Sequence, residues 1–309
     1  MKQAQVAAWG ESPKSVEAPT PALPSADSGQ VQVKVLAAGL HNLVRGRASG
    51  NHYSAKVLPH IPGADGVGTT LDGKLVCFST ITPTGGSFTE VINVPVASTT
   101  PVQDGADPIQ VAGLINPVMA SWMALHARTA NLPTGFAAVI VGATGVSGTA
   151  AVSVARVFGA GKVVGVARSA AKMGGLGLDA TVELQDDATK TDYTAALDAD
   201  VILDFLYGPP MLALFQALKP QKPVQYVQIG TVVERKMDFP GDVLRSKDIT
   251  IRGAGPGAWK MQDFAEQCPA IIEAIASGKI KPHKFQEVKL EDIETAWAQK
   301  GGDRIVVIP

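Results

Sequence analysis

The 309-residue chain has only two cysteines, Cys77 and Cys268. Two such distant cysteines make no disulfide framework and no four-cysteine zinc lobe. Charge of either sign is sparse in blocks. The formal net charge is −1, and no run of lysine or arginine stands out. That argues against nucleic acid and against an anionic membrane surface as partners. No uninterrupted apolar stretch reaches transmembrane length, and "MKQAQVAAWGESPK" at the N-terminus lacks a signal-peptide core. The expectation is a cytoplasmic protein with free thiols and a small-molecule partner. At 46% hydrophobic the chain can bury a sizeable core, and its length suggests two domains.

Residues 1 to about 100 read as β-rich. "QVQVKVLAAG" (Gln30–Gly39) alternates polar and apolar residues as a half-buried strand does, and "KLVCFST" and "FTEVINVPVAS" are further short strands. "SVEAPTPALPSADSG" before them reads as loop, rich in proline and serine. "PIQVAGLINPVMASWMALHART" reads as helical with an interruption at Pro117. From Ala137 strands and helices alternate: "AAVIVGA", "KVVGVAR", "ATVELQ", "DVILDFL", "VQYVQIG" and "DITIRGAG" are six strands. Such alternation predicts a doubly wound α/β domain with a parallel sheet. An amphipathic helix up to Gly278 and the strands "FQEVKL" and "RIVVIP" then return to the first domain. The expected boundaries are 1–110, 111–260 and 261–309.

The stretch "VIVGATGVSGTAA" (Val139–Ala151) joins a buried strand to a helix through glycines. It fits a dinucleotide fingerprint if Ala143 stands at the first glycine position, as Ala143-Thr144-Gly145-Val146-Ser147-Gly148. Gly145 would let the backbone approach a pyrophosphate, and Gly148 would let helix and strand pack closely. The helix N-terminus would face the phosphates. No Asp or Glu occurs from Val163 to Lys172, where a carboxylate would hold the ribose of NAD. Arg168, Ser169 and Lys172 gather there instead, a set suited to the 2′-phosphate of NADPH. Ordinary surface charges are the alternative.

With "VKVLAAGLHNLVRGRASG", "PHIPGADGVG", "GGSFTEVI", "INPVMASWMAL", "VVGVARS", "DVILDFLYG", "YVQIG" and "LRSKDITIRGAGPG" in order around the glycine turn, the chain resembles the medium-chain dehydrogenase/reductase superfamily. It is most similar to the zinc-free quinone-oxidoreductase-like branch. The resemblance implies a GroES-like β-barrel substrate domain, a Rossmann domain, NADPH, and homodimerisation near Asp248–Gly253. Zinc-dependent relatives carry a cysteine where His41 stands and a His-Glu pair where Ala64 and Asp65 stand. A catalytic zinc needs about three protein ligands, so no metal is expected.

Without a Lewis acid a plain carbonyl loses its main polarisation, whereas a conjugated acceptor needs less help. The expected activity is NADPH-dependent reduction of a quinone or an α,β-unsaturated carbonyl. The rivals are reduction of an imine and non-catalytic NADPH binding. His41 and Tyr53 are the catalytic candidates, with a structural loop histidine and a lining aromatic as alternatives. Asn42 is a further polar candidate, for binding the cofactor. Ser121 matches a hydroxyl that relatives place near the nicotinamide, or is a helix-interior serine bonded to its own backbone. Phe205, Leu206, Ile229 and Gly230 end two strands and are expected to contact the cofactor. Arg45 and Arg47 read as solvated charges, with contact to an anionic substrate as the alternative.

Overall fold

A computed structural model of the chain describes residues 1–52, 54, 55, 57–80, 85–219, 222–299 and 302–309. The chain divides into two compact units. One comprises Met1–Asn116, Gln267–Gly278 and Pro282–Pro309; the other comprises Pro117–Glu266 and Lys279–Lys281.

The first unit is built on a mainly antiparallel sheet. Its strands run in the order Phe285–Lys289, Arg304–Ile308, Gln30–Gly39, Asp65–Thr70, Leu75–Ser79 and Thr99–Pro101, with Val91–Pro95 also on Gln30–Gly39. The alternation in Gln30–Gly39 puts Val33, Val35 and Ala37 inside. Part of the stretch expected as loop is a strand: Lys14–Glu17 pairs with Lys2–Gln5. There the alternating Lys-Ser-Val-Glu outweighs the proline-rich composition that follows it.

The second unit is a six-stranded parallel sheet. Numbered in chain order its strands stand 3-2-1-4-5-6: Ala180–Glu183, Lys162–Ala167, Ala137–Val141, Val201–Asp204, Val224–Gln228 and Ile249–Gly253. This is the doubly wound order, and its switch point lies between Ala137–Val141 and Val201–Asp204. Ala137–Val141 is buried at every position, as a central parallel strand must be.

The helix Pro108–Arg128 runs through Pro117 without the expected interruption. Pro117 cannot donate to Gly113, four residues back. The Gly113 carbonyl instead accepts from Arg304 Nη1 at 3.4 Å, so the missing bond is replaced. By length and composition this helix could cross a bilayer, but 72% of its apolar window is buried inside the protein, as in a core helix.

Candidate functional site

In the parallel-sheet unit the first strand ends in the turn Gly142–Gly145, and Gly145 caps the helix Val146–Val157. The left-handed residue is Gly142, with φ 94°. Because the positive φ falls there, Ala143 keeps an ordinary conformation and is fully buried. That is how alanine occupies the first fingerprint position. A Cβ at Gly148 would meet the Gly142 carbonyl at 2.1 Å, so only glycine packs there. Gly145 is different. A Cβ on it would meet nothing nearer than 3.7 Å, and it is exposed with φ −78°. Nothing in the protein itself demands glycine at that place. The space above it is open, and no side chain caps the helix N-terminus. The first-turn N–H groups around Val146 and Ser147 lack intrahelical acceptors by construction. Thr144, half-buried, completes the turn. These residues fit a pyrophosphate.

The neighbouring strand, Lys162–Ala167, delivers Arg168, Ser169 and Lys172. Ser169 caps a short helix, accepting from the Lys172 backbone N–H at 3.4 Å. Arg168 and Lys172 are exposed. Among the described residues no carboxylate is ion-paired with either. One feature the sequence reading missed is Glu183. It ends the next strand opposite Ala167, and its Oε1 accepts from the Ala170 N–H at 3.1 Å. Only the strand register brings it there; it lies outside the sequence window in which a carboxylate was sought.

On the other side of the switch point, Phe205 and Leu206 follow Asp204. A Cβ on Gly142 would touch Leu206 at 3.1 Å, and one on Gly230 would meet the Phe205 carbonyl at 2.6 Å. The turns after three adjacent strands are thus in close contact. Asp204, fully buried, ties them. Its Oδ1 accepts from the Leu206 N–H at 2.8 Å and both oxygens accept from the Tyr207 N–H at 3.1 Å. Its main-chain oxygen accepts from Ile229 and Gly230 at 2.8 and 3.0 Å. Ser121 is fully buried, and its hydroxyl donates to the Pro117 and Val118 carbonyls of its own helix. It therefore offers no free hydroxyl proton to a ligand here.

In the antiparallel unit, His41 caps the helix Asn42–Ala48 and is buried. Its Nε2 lies 3.1 Å from Asp65 Oδ2, while His41 Nδ1 and Asp65 Oδ1 have no partner. The pair thus keeps one buried acceptor or donor atom on each side chain for a further partner. Asn42 is exposed at the start of the helix. Tyr53 lies outside the described residues. Arg45 and Arg47 are not the solvated charges expected. Arg45 donates to the Trp297 carbonyl at 2.7 Å and lies over the Trp297 ring, and Arg47 is buried. The two stand on different sides of the helix and meet different neighbours, Trp297 for Arg45 and the Gly63 and Thr80 carbonyls for Arg47, which composition could not reveal. Ala64 is fully buried beside Asp65, and among the described residues no three His, Cys, Asp or Glu side chains gather as metal ligands.

No family model matches the chain. The chain is 32% identical to the probable NADPH-dependent quinone reductase tdiC of Emericella nidulans, with all of both chains covered. Among solved structures, a mycobacterial quinone oxidoreductase superposes with TM-score 0.83 at 16% identity, covering 100% of each chain. The quinone oxidoreductase of Pseudomonas syringae pv. Tomato DC3000 gives 0.79 at 22% identity, over 100% of this chain and 99% of that one. A thermostable alcohol dehydrogenase from Pyrobaculum aerophilum gives 0.81 at 23%, with the same coverage. The structural likenesses establish the two-part fold, and the full-length sequence relative establishes the family. The chain belongs to the quinone-oxidoreductase-like branch of the medium-chain dehydrogenase/reductase superfamily.

Proposed function

We propose that the protein is an NADPH-dependent oxidoreductase that reduces a conjugated carbonyl, a quinone before all others, without a metal. The observation that carries this is the open Gly145 turn at the switch point, with two exposed cations at the next strand end that no carboxylate pairs among the described residues. Val146 and Ser147 N–H groups hold the pyrophosphate, with Ala143 and Thr144 shaping the turn. Arg168, Ser169 and Lys172 take the 2′-phosphate. Phe205, Leu206, Ile229 and Gly230 line the nicotinamide side, held by Asp204. NADPH when bound supplies a hydride.

With Nε2 donating to Asp65 Oδ2, the neutral His41 ring would accept at Nδ1 from a ribose hydroxyl; only the imidazolium, with Asp65 as its counter-charge, would donate Nδ1–H to the substrate oxygen and stabilise the charge that develops there. Asn42 is a candidate for holding the cofactor, and Tyr53 a candidate for the catalytic proton or hydrogen bond. The replacement of a zinc-ligand histidine by Ala64 supports the metal-free reading. The strand Ile249–Gly253, at one end of its sheet, supports a homodimer built by edge pairing. The small net charge and the two free cysteines support a cytoplasmic setting.

The test is NADPH oxidation measured against quinones, enones, aldehydes and imines, with and without chelator. Quinones should be turned over with the highest kcat/KM, and chelator should change nothing. Loss of activity on chelation, or a preference for imines, would overturn the reading.

A further inference from the structure

Arg47 lies at the end of the helix that His41 begins, and only 4% of it is exposed. Its Nη1 donates to the carbonyls of Gly63 at 3.3 Å and Thr80 at 3.1 Å. Its Nε is shielded from solvent and has no partner. Among the described residues no carboxylate pairs with it. Two other buried charges have an ionisable partner, Asp65 with His41 and Asp200 with Lys222, and buried Asp204 is held by three kinds of donor, the Leu206 and Tyr207 N–H groups and the Tyr226 hydroxyl.

The neighbouring histidines do not offset this charge. Burial, and after it the Arg47 charge, hold both His52 and His60 below the usual histidine range. His60 Nε2 is also buried without a partner. Arg47 and His60 thus each keep a buried nitrogen without a partner. A buried cation left without a counter-charge costs several kcal/mol, and two carbonyls on one nitrogen do not neutralise it. A planar guanidinium is the side chain best matched to a carboxylate.

The position matters as much as the charge. Gly63, which holds Arg47, is two residues before Asp65, which holds His41. We propose that Arg47 recognises a carboxylate on the substrate, through the Nε side of its guanidinium, beside the His41–Asp65 pair. The substrate class is then an acidic quinone or enone rather than a neutral one. The inference rests on the reading that this unit holds the substrate of a reductase.

Two measurements decide it. The first is calorimetric titration of the NADPH-saturated protein with benzoate. Saturable binding is expected, weakened about tenfold or more in Arg47→Met and partly restored in Arg47→Lys. The second compares kcat/KM for a naphthoquinone carboxylate and its methyl ester, two electron-poor quinones that differ in charge. The acid should be preferred by about tenfold, with the ratio falling towards one in Arg47→Met. No saturable benzoate binding by the unmodified protein, as expected if a water merely bridges Arg47 and His60, overturns the proposal. So does a ratio near one, or benzoate binding that ignores both substitutions. If neither quinone oxidises NADPH, the reductase reading falls, while benzoate binding still decides the role of Arg47. If Arg47→Met does not fold, the unmodified protein and Arg47→Lys carry both tests.

Discussion

The Tyr226 hydroxyl donates to Asp204 Oδ2 at 2.8 Å, inside the parallel sheet and one strand apart. Both residues are essentially inaccessible to solvent. Burial raises the Asp204 carboxyl above the usual carboxylate range, against the pull of the Tyr207 N–H, the Tyr226 hydroxyl and the Leu206 N–H. A carboxyl raised in the folded state binds more protons folded than unfolded. Its contribution to stability is therefore full below the ordinary carboxylate pKa and is lost as pH rises through the raised value. Asp204→Asn should remove that part of the decline, seen as a flatter plot of urea midpoint against pH. Tyr226→Phe should cost about 1–3 kcal/mol, because it withdraws a donor from a buried carboxylate. An unchanged urea midpoint in Tyr226→Phe would show that the bond carries no weight.

Gly145 and Gly148 make a paired experiment. Gly148→Ala forces a Cβ to 2.1 Å from the Gly142 carbonyl, so the turn must shift. A loss of about 1–3 kcal/mol is expected. Gly145→Ala meets no such contact, so its melting temperature should be retained while its Kd for NADPH rises about tenfold or more. Fluorescence titration of NADPH with each variant reads this directly. Retained affinity in Gly145→Ala would remove the cradle from this turn.

The outline of both units was legible in the sequence because hydrophobic period and glycine placement are local signals. All six parallel strands appear where "AAVIVGA" through "DITIRGAG" placed them. What stayed hidden depends on contacts distant in sequence. The helix passes through Pro117 because Arg304, from the far end of the chain, answers Gly113. Arg47 is buried because Gly63 and Thr80 offer carbonyls to it, and no window around Arg47 contains them. Asp65 was visible only as a metal-ligand position; its bond to His41 needed the fold. Ser121 matched a motif, yet its hydroxyl bonds within its own helix.

The strand end at Arg168 separates NADPH from NADH. Neither Arg168 nor Lys172 is ion-paired among the described residues, so each is available to a phosphate. Substituting either by Ala should raise the Kd for NADPH by about ten- to a hundredfold, as expected for a lost charge-assisted bond. The Kd for NADH should hardly move. Glu183→Gln should act the other way and tighten NADPH, because it removes the carboxylate bonded at Ala170. Parallel losses for both cofactors in Arg168→Ala would place the phosphate elsewhere.

His60 predicts how the antiparallel unit answers acid. Burial, and then the Arg47 charge, lower its pKa to about 4, whereas an unfolded histidine titrates near about 6.5. The unfolded chain therefore binds the extra proton first. Stability rises with pH across this window and is lost as pH falls from about 6.5 to about 4. The loss is at most about 3 kcal/mol. His60→Phe keeps a ring to set against Trp9, whose centroid is 5.8 Å away, and carries no proton. Its urea midpoint should fall less on acidification than that of the unmodified protein. Proton NMR of the His60 ring gives the second check. A resonance that titrates near about 6.5 in the folded protein would mean that neither burial nor Arg47 acts on this histidine.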